Sequence, residues 1–359
     1  MLSTIEKEVI KYLLKLPTRA LELISGGKTE IQGKKLDTFI QFGLLLSAVK
    51  PKLNALPPIE SRQLHKEMMA IFDLDPLELY RVNDMKVSAR NREIPIRIYT
   101  PRLEGLSDSC LLYFHGGGFV IGNLDTVDPL LRYLSLKSGV TIISVDYRLA
   151  PEHRFPAAFE DAYSVYEWLE SREKYFEINI SKMGIGGDSA GASIANYLSA
   201  RLREREGKKP SYQLLIYPGI DHSIERESFQ QFPNYGLTPD LLRYFFSHFF
   251  NHPEDRVNPF YFPYHAETLK GMPKTYLIQA GFDPLYDEGL AFHEKLLKDG
   301  NPSIRIEFPS LIHGFVNFGG LVPAARDALD KIAEIIRNAG ENLKEGAQQT
   351  PESVRGGSS

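Results

Sequence analysis

The chain has a single cysteine, Cys110, so no disulfide can close within it. That suits a reducing compartment, and a cytoplasmic protein is expected. Cys110 precedes Leu111-Leu112-Tyr113-Phe114 and reads as a small buried strand residue. The sequence has no paired cysteines, no H-E-x-x-H and no tight His/Asp cluster, so no metal and no cofactor are expected. The longest apolar run, Phe39 to Val49, is interrupted by Gln41 and Ser47. It falls short of the roughly 20 residues that span a bilayer, so no stable membrane insertion is expected. The amino terminus alternates charged and apolar residues, and no secretory leader is read there. The net charge is -4, which supplies no field to attract phosphate backbones and excludes nucleic acid as a partner. No internal repeat is visible.

The 359 residues suit one large α/β domain with an appended cap. Residues 1–80 read as a helical cap region. Ile5, Val9, Tyr12, Leu13 and Leu16 share one helical face, with Lys7, Lys11 and Lys15 elsewhere. From Val82 the period shortens, and Val87, Ile94, Ile96 and Ile98 predict an edge hairpin. Strands are then expected at 110–114, 141–145, 183–186, 213–217, 275–280 and 305–308. Helices are expected at 129–138, 157–171, 192–206, 288–298 and 323–338. This alternation predicts an α/β fold over residues 81–340, with a mostly parallel central sheet covered on both faces. Residues 221–265 interrupt it with aromatics such as Phe229, Tyr244 and Phe249, and read as a second piece of cap. Residues 341–359 are polar, end in Gly-Gly-Ser-Ser, and read as a disordered tail.

The most informative stretch is Gly187-Asp188-Ser189-Ala190-Gly191, a G-x-S-x-G between an apolar strand and a helix start. A serine on such a turn projects clear of the sheet, and its glycines let neighbouring backbone approach. A serine hydroxyl is a weak nucleophile at neutral pH. It needs a base, a group to orient that base, and donors for the oxyanion that forms. Among nine histidines, only His313 follows the last expected strand. His293 sits inside a helix; His222, His248, His252 and His265 fall in the cap, and His65 in an amino-terminal helix. The orienting acid is expected at Asp283, at the end of strand 275–280, with Asp287 as the alternative. Asp287 and Glu288 also suit a helix start, where a carboxylate favours exposed N–H groups. The oxyanion donors are expected from the backbone of Gly117 and Gly118, in His115-Gly116-Gly117-Gly118-Phe119, and of Ala190. His115 reads as a residue that shapes this loop. The same glycines carry no G-x-G-x-x-G and no following Gly-Lys-Ser/Thr, which argues against a phosphate cradle.

Together these pieces resemble the hormone-sensitive-lipase-like group of α/β-hydrolases, the bacterial family IV carboxylesterases. The resemblance rests on His115-Gly116-Gly117-Gly118-Phe119, Asp146-Tyr147-Arg148-Leu149-Ala150-Pro151-Glu152-His153 and Phe155-Pro156-Ala157-Ala158. It continues through Gly187-Asp188-Ser189-Ala190-Gly191, Gly281-Phe282-Asp283-Pro284-Leu285 and Asp287-Glu288-Gly289 to His313-Gly314-Phe315. It covers about residues 80–338. It implies an α/β-hydrolase fold, a Ser189–Asp283–His313 triad and hydrolysis of short- to medium-chain carboxylic esters without a cofactor. It also implies an amino-terminal cap over the acyl pocket, a small-molecule ester as partner, and pairing of two copies along an edge strand. Where many relatives have Gly-Gly-Asn after the serine motif, this chain has Ala192-Ser193-Ile194. A ligand-sensing module on the same scaffold is the alternative; such relatives lack the triad histidine that His313 supplies here.

Overall fold

The computed structural model describes residues 9–341 apart from 11, 15, 49, 90, 91 and 103–106. A two-stranded ribbon, β1 (Glu30–Ile31) and β2 (Lys34–Lys35), precedes an eight-stranded sheet. The sheet comprises β3 (Arg81–Ala89), β4 (Arg92–Thr100), β5 (Cys110–Phe114), β6 (Thr141–Val145) and β7 (Gly184–Asp188). It is completed by β8 (Tyr212–Ile216), β9 (Lys274–Phe282) and β10 (Ser303–Ile312). The spatial order is β10-β9-β8-β7-β5-β6-β4-β3. β3 pairs antiparallel with β4, β4 antiparallel with β6, and every other pair is parallel. This is the mostly parallel α/β sheet that the alternation predicts, with the edge hairpin where the period shortens.

The inner strands are short and buried along their whole length on both faces, as in β5, β6 and β8. That burial explains why they read as unbroken apolar runs rather than alternating ones. The amino-terminal helices are α1 (Thr18–Ile24), α2 (Thr38–Ser47) and α3 (Pro58–Phe72). Around the sheet lie α4 (Asp128–Ser138), α5 (Ala157–Glu170) and α6 (Ala190–Arg203). The set ends with α7 (Pro239–Phe249), α8 (Tyr286–Lys298) and α9 (Pro323–Glu341). One sheet face buries Leu130 and Leu134 of α4 with Leu329, Ile332 and Ile336 of α9. The other buries Phe159 and Val165 of α5, Ala195 and Leu198 of α6, and Phe292 and Leu296 of α8.

Several boundaries differ from the sequence reading. β7 runs on to Asp188 and α6 begins at Ala190, so the turn between them is one residue, Ser189. The face read from Ile5 is only partly covered, since residues 1–8, 11 and 15 lie outside the described set. Within it, Val9 and Tyr12 are exposed, whereas Leu14 is buried with Ile10, Leu13 and Leu16 packed nearby. Leu13 and Leu16 of the expected face thus pack with Leu21 and Phe42, and tertiary contact turns the buried side toward Leu14 and away from Val9 and Tyr12. Of the aromatics after residue 221, Phe229, Phe245, Phe249 and Phe250 are buried in one core, where Phe249 stacks on Phe119 at 3.9 Å, and Phe232 is buried in the other, 5.6 Å from the Phe282 ring. The tail beyond Glu341 lies outside the described residues. Among the described residues, no helix is long and apolar enough to cross a membrane.

Candidate active site

β5 and β7 are neighbours, and the connections that leave them run in opposite directions, from β5 to β6 and from β7 to β8. At such a switch point the loops diverge and leave a crevice at the carboxyl ends of the strands. The glycine loop after β5 and Ser189 after β7 both border that crevice. Ser189 has φ 54° and ψ -121°, a conformation that L side chains rarely adopt. Its N–H donates to the Ile216 carbonyl at 2.9 Å, which holds the turn against β8. A Cβ on Gly191 would sit 2.0 Å from the Phe114 carbonyl oxygen, and one on Gly187 would sit 2.5 Å from it. Glycine at both positions is therefore a steric requirement of the elbow.

The three side chains sought in the sequence meet here. His313 follows β10, and its Nε2 lies 2.8 Å from Ser189 Oγ. Its Nδ1 lies 2.8 Å from Oδ2 of Asp283, the residue after β9. The other Asp283 oxygen accepts the Leu285 N–H at 2.8 Å, so both oxygens are engaged. Asp283 is buried, and the pair leaves the imidazole one free nitrogen facing the serine. The alternative acid, Asp287, turns elsewhere and accepts the Ser228 N–H at 2.8 Å. Glu288 accepts the N–H groups of Ile220 and Asp221 at 3.0 and 3.2 Å. Burial and the neighbouring Asp221 raise its pKa well above the usual carboxyl range.

Gly117 and Gly118 have φ 118° and 59°, and both border the same cavity as Ser189. A Cβ on Gly117 would sit 2.1 Å from the Ile121 carbonyl oxygen. Ala190 is the first residue of α6, so its N–H has no acceptor within the helix. His115 shapes the loop as expected. It is fully buried, its Nδ1–H donates to the Gly116 carbonyl at 2.7 Å, and its ring stacks on Tyr147 at 4.4 Å. Burial lowers its pKa to about 4, which keeps it neutral. The remaining histidines stay apart from the serine–histidine–aspartate line. His293, for example, lies by Ser303 at 2.8 Å.

Three contributors escaped the sequence reading. Asp188 Oδ1 accepts the Tyr113 hydroxyl at 2.8 Å and the Gly116 N–H at 2.9 Å, tying the glycine loop to the residue before the serine. Its motif position flags it, but its partners lie 75 and 72 residues away. Tyr217, after β8, has φ 34° and sets its ring 4.6 Å from that of His313. Arg62 of α3 donates to the carbonyls of Val120 and Ala150 and to both oxygens of Glu152, all at 2.6–2.8 Å. It fastens α3 beside the glycine loop. Ser193, one of the departures from the family pattern, donates to the Gly219 carbonyl at 2.5 Å and so takes a packing role.

Comparison with known proteins identifies the family of the chain. Residues 111–317 match the family described as the alpha/beta hydrolase fold. An ethyl acetate hydrolase of Pseudomonas putida is 31% identical over 290 residues, covering 79% of this chain and 91% of that protein. Esterase LipI of Mycobacterium tuberculosis is 33% identical over 290 residues, covering 80% and 86%. Among solved structures, a hyperthermophilic esterase from the archaeon Pyrobaculum calidifontis is similar with a TM-score of 0.76 at 33% identity, covering 83% of this chain and 96% of that one.

Proposed function

This chain belongs to the α/β-hydrolase family, in its hormone-sensitive-lipase-like group, and from that premise we propose that it is a serine carboxylesterase working through Ser189, His313 and Asp283. The observation that carries the reading is the unbroken hydrogen-bonded line from Ser189 Oγ through the imidazole to Asp283. Ser189 Oγ attacks the ester carbonyl carbon while its proton passes to His313 Nε2. The carbonyl oxygen gains the electron pair and is held by the N–H groups of Gly117, Gly118 and Ala190. The bond to the alcohol oxygen then breaks, that oxygen takes the proton from Nε2, and an ester to Ser189 remains. Water attacks this acyl-enzyme, gives its proton to Nε2, and releases the acid as the proton returns to Oγ. Asp283 holds the imidazole in the required tautomer and balances its charge. Ordering a serine, a base and an acid at 2.8 Å with strain at Ser189 serves this chemistry better than passive ligand binding.

The reading includes a cap built from α1–α3 and residues 221–265. It is supported by the Arg62 clamp and by the Tyr244 hydroxyl, which donates to the Leu56 carbonyl at 3.0 Å. It includes a cytoplasmic workplace, in keeping with the lone cysteine. It also includes pairing of two copies along the early part of β10, the edge strand on which Ile304 is exposed. A two-step reaction makes a specific demand on kinetics. With methanol added, esters that share an acyl group but differ in leaving alcohol should give one ratio of methyl ester to free acid. A ratio that varies with the leaving group would mean that the esters do not pass through a common acyl-enzyme.

A further inference from the structure

Two cavities meet at Ser189. The larger, about 250 Å³, reaches between α2 and α3 past Leu44, Met68 and Phe72, and has His313 in its wall. The smaller, about 30 Å³, is bordered by Gly118, Ser189 and Ala190 and closed by His222, Leu242 and Phe246. Leu237 and Phe245 line both and divide them. His313 borders only the larger.

This asymmetry fixes how an ester must lie, given the roles proposed above for Ser189 and His313. The departing alcohol oxygen receives its proton from His313 Nε2, so the alcohol arm leaves on the imidazole side. The carbonyl oxygen points to the N–H groups of the glycine loop and Ala190. The remaining substituent of the carbonyl carbon, the acyl arm, is directed away from His313 and into the smaller cavity. A water-sized group needs roughly 10–15 Å³ of such space, so 30 Å³ admits about two heavy atoms. The walls are firmly held. The His222 ring packs edge-on to Phe262 at 4.4 Å and within 5.7 Å of Phe246 and Phe250, and Glu288 is held by two backbone N–H groups.

We propose that the smaller cavity takes the acyl arm and the larger the alcohol arm, so that the preferred substrates are acetyl-sized esters of extended apolar alcohols. The amino-terminal helices therefore cover the alcohol arm, rather than the acyl pocket that the family resemblance implies.

Two crossed ester series test this. In p-nitrophenyl esters of increasing acyl length, kcat/KM should fall about tenfold or more per methylene once the small cavity is full. In acetates of unbranched alcohols from methanol to decanol, kcat/KM should rise by up to roughly fourfold per methylene until the large cavity is full. Leu242→Ala should recover hexanoate relative to acetate. Met68→Trp should slow decyl acetate more than methyl acetate. Hexanoate outpacing acetate, or decyl acetate trailing methyl acetate in the unmodified protein, would overturn the assignment of arms. If neither series is hydrolysed and a fluorophosphonate leaves Ser189 unlabelled, the esterase reading itself falls, and the assignment with it.

Discussion

Ser189→Ala is expected to reduce kcat on an activated short-chain ester by on the order of 10⁶, as loss of the nucleophile does in other triads. The variant keeps both cavities, the glycine loop and the Ala190 N–H, so KM should change little. Its fold should also hold. The Ser189 side chain makes no capping bond to α6, and alanine meets the same backbone requirement at φ 54° as serine does. A thermal midpoint close to that of the parent protein separates chemical loss from unfolding. Residual turnover within about tenfold of the parent, on a folded variant, would require another nucleophile and contradict the assignment.

Asp283→Asn is expected to cost on the order of 10⁴ in kcat. The carboxylate accepts from His313 Nδ1 at 2.8 Å and so keeps the proton there, leaving Nε2 free to act as base. An asparagine amide can present its own N–H groups to Nδ1 and drive the proton to Nε2, where it faces Ser189 and blocks proton acceptance. The bond from the Leu285 N–H survives, because asparagine still offers a carbonyl oxygen. Asp287→Asn is the matched control. Asp287 accepts the Ser228 N–H of the cap segment at 2.8 Å, while the partner of His313 Nδ1 is Asp283. Its loss should leave kcat within about threefold of the parent, a change of under 1 kcal/mol in the barrier. A 10⁴-fold loss in the Asp287 variant with near-normal turnover in the Asp283 variant would reverse the two roles.

The elements legible in the sequence are those whose burial is uniform and whose ends are marked by turns. The expected strands 110–114 and 141–145 coincide with β5 and β6, because both are short apolar runs enclosed on two sides. The convergence of Ser189, Asp283 and His313 has a related reason. Each follows a strand, and a parallel sheet carries strand ends to one rim whatever their separation along the chain. The amino-terminal face is legible only in part, at Leu13 and Leu16, because its buried side is set by Leu21 and Phe42, residues that the local period does not contain. The ties made by Asp188, Tyr217 and Arg62 were illegible for a similar reason. Arg62 and Glu152 are 90 residues apart, and nothing in either local pattern marks them as partners. The division into two unequal cavities was equally hidden, since Leu237 and Phe245 acquire that role only when α7 and its preceding loop pack against the glycine loop. A ring of Phe245 stands where any Cβ on Gly118 would fall, at 2.2 Å.

The central claim is that the Ser189 hydroxyl is reactive because His313 and Asp283 make it so. Incubation with a fluorophosphonate followed by peptide mapping tests this most directly. The account predicts one stoichiometric adduct, on Ser189, with labelling slowed by orders of magnitude in Asp283→Asn. A folded protein that stays unlabelled, or one modified at a different residue, would contradict it.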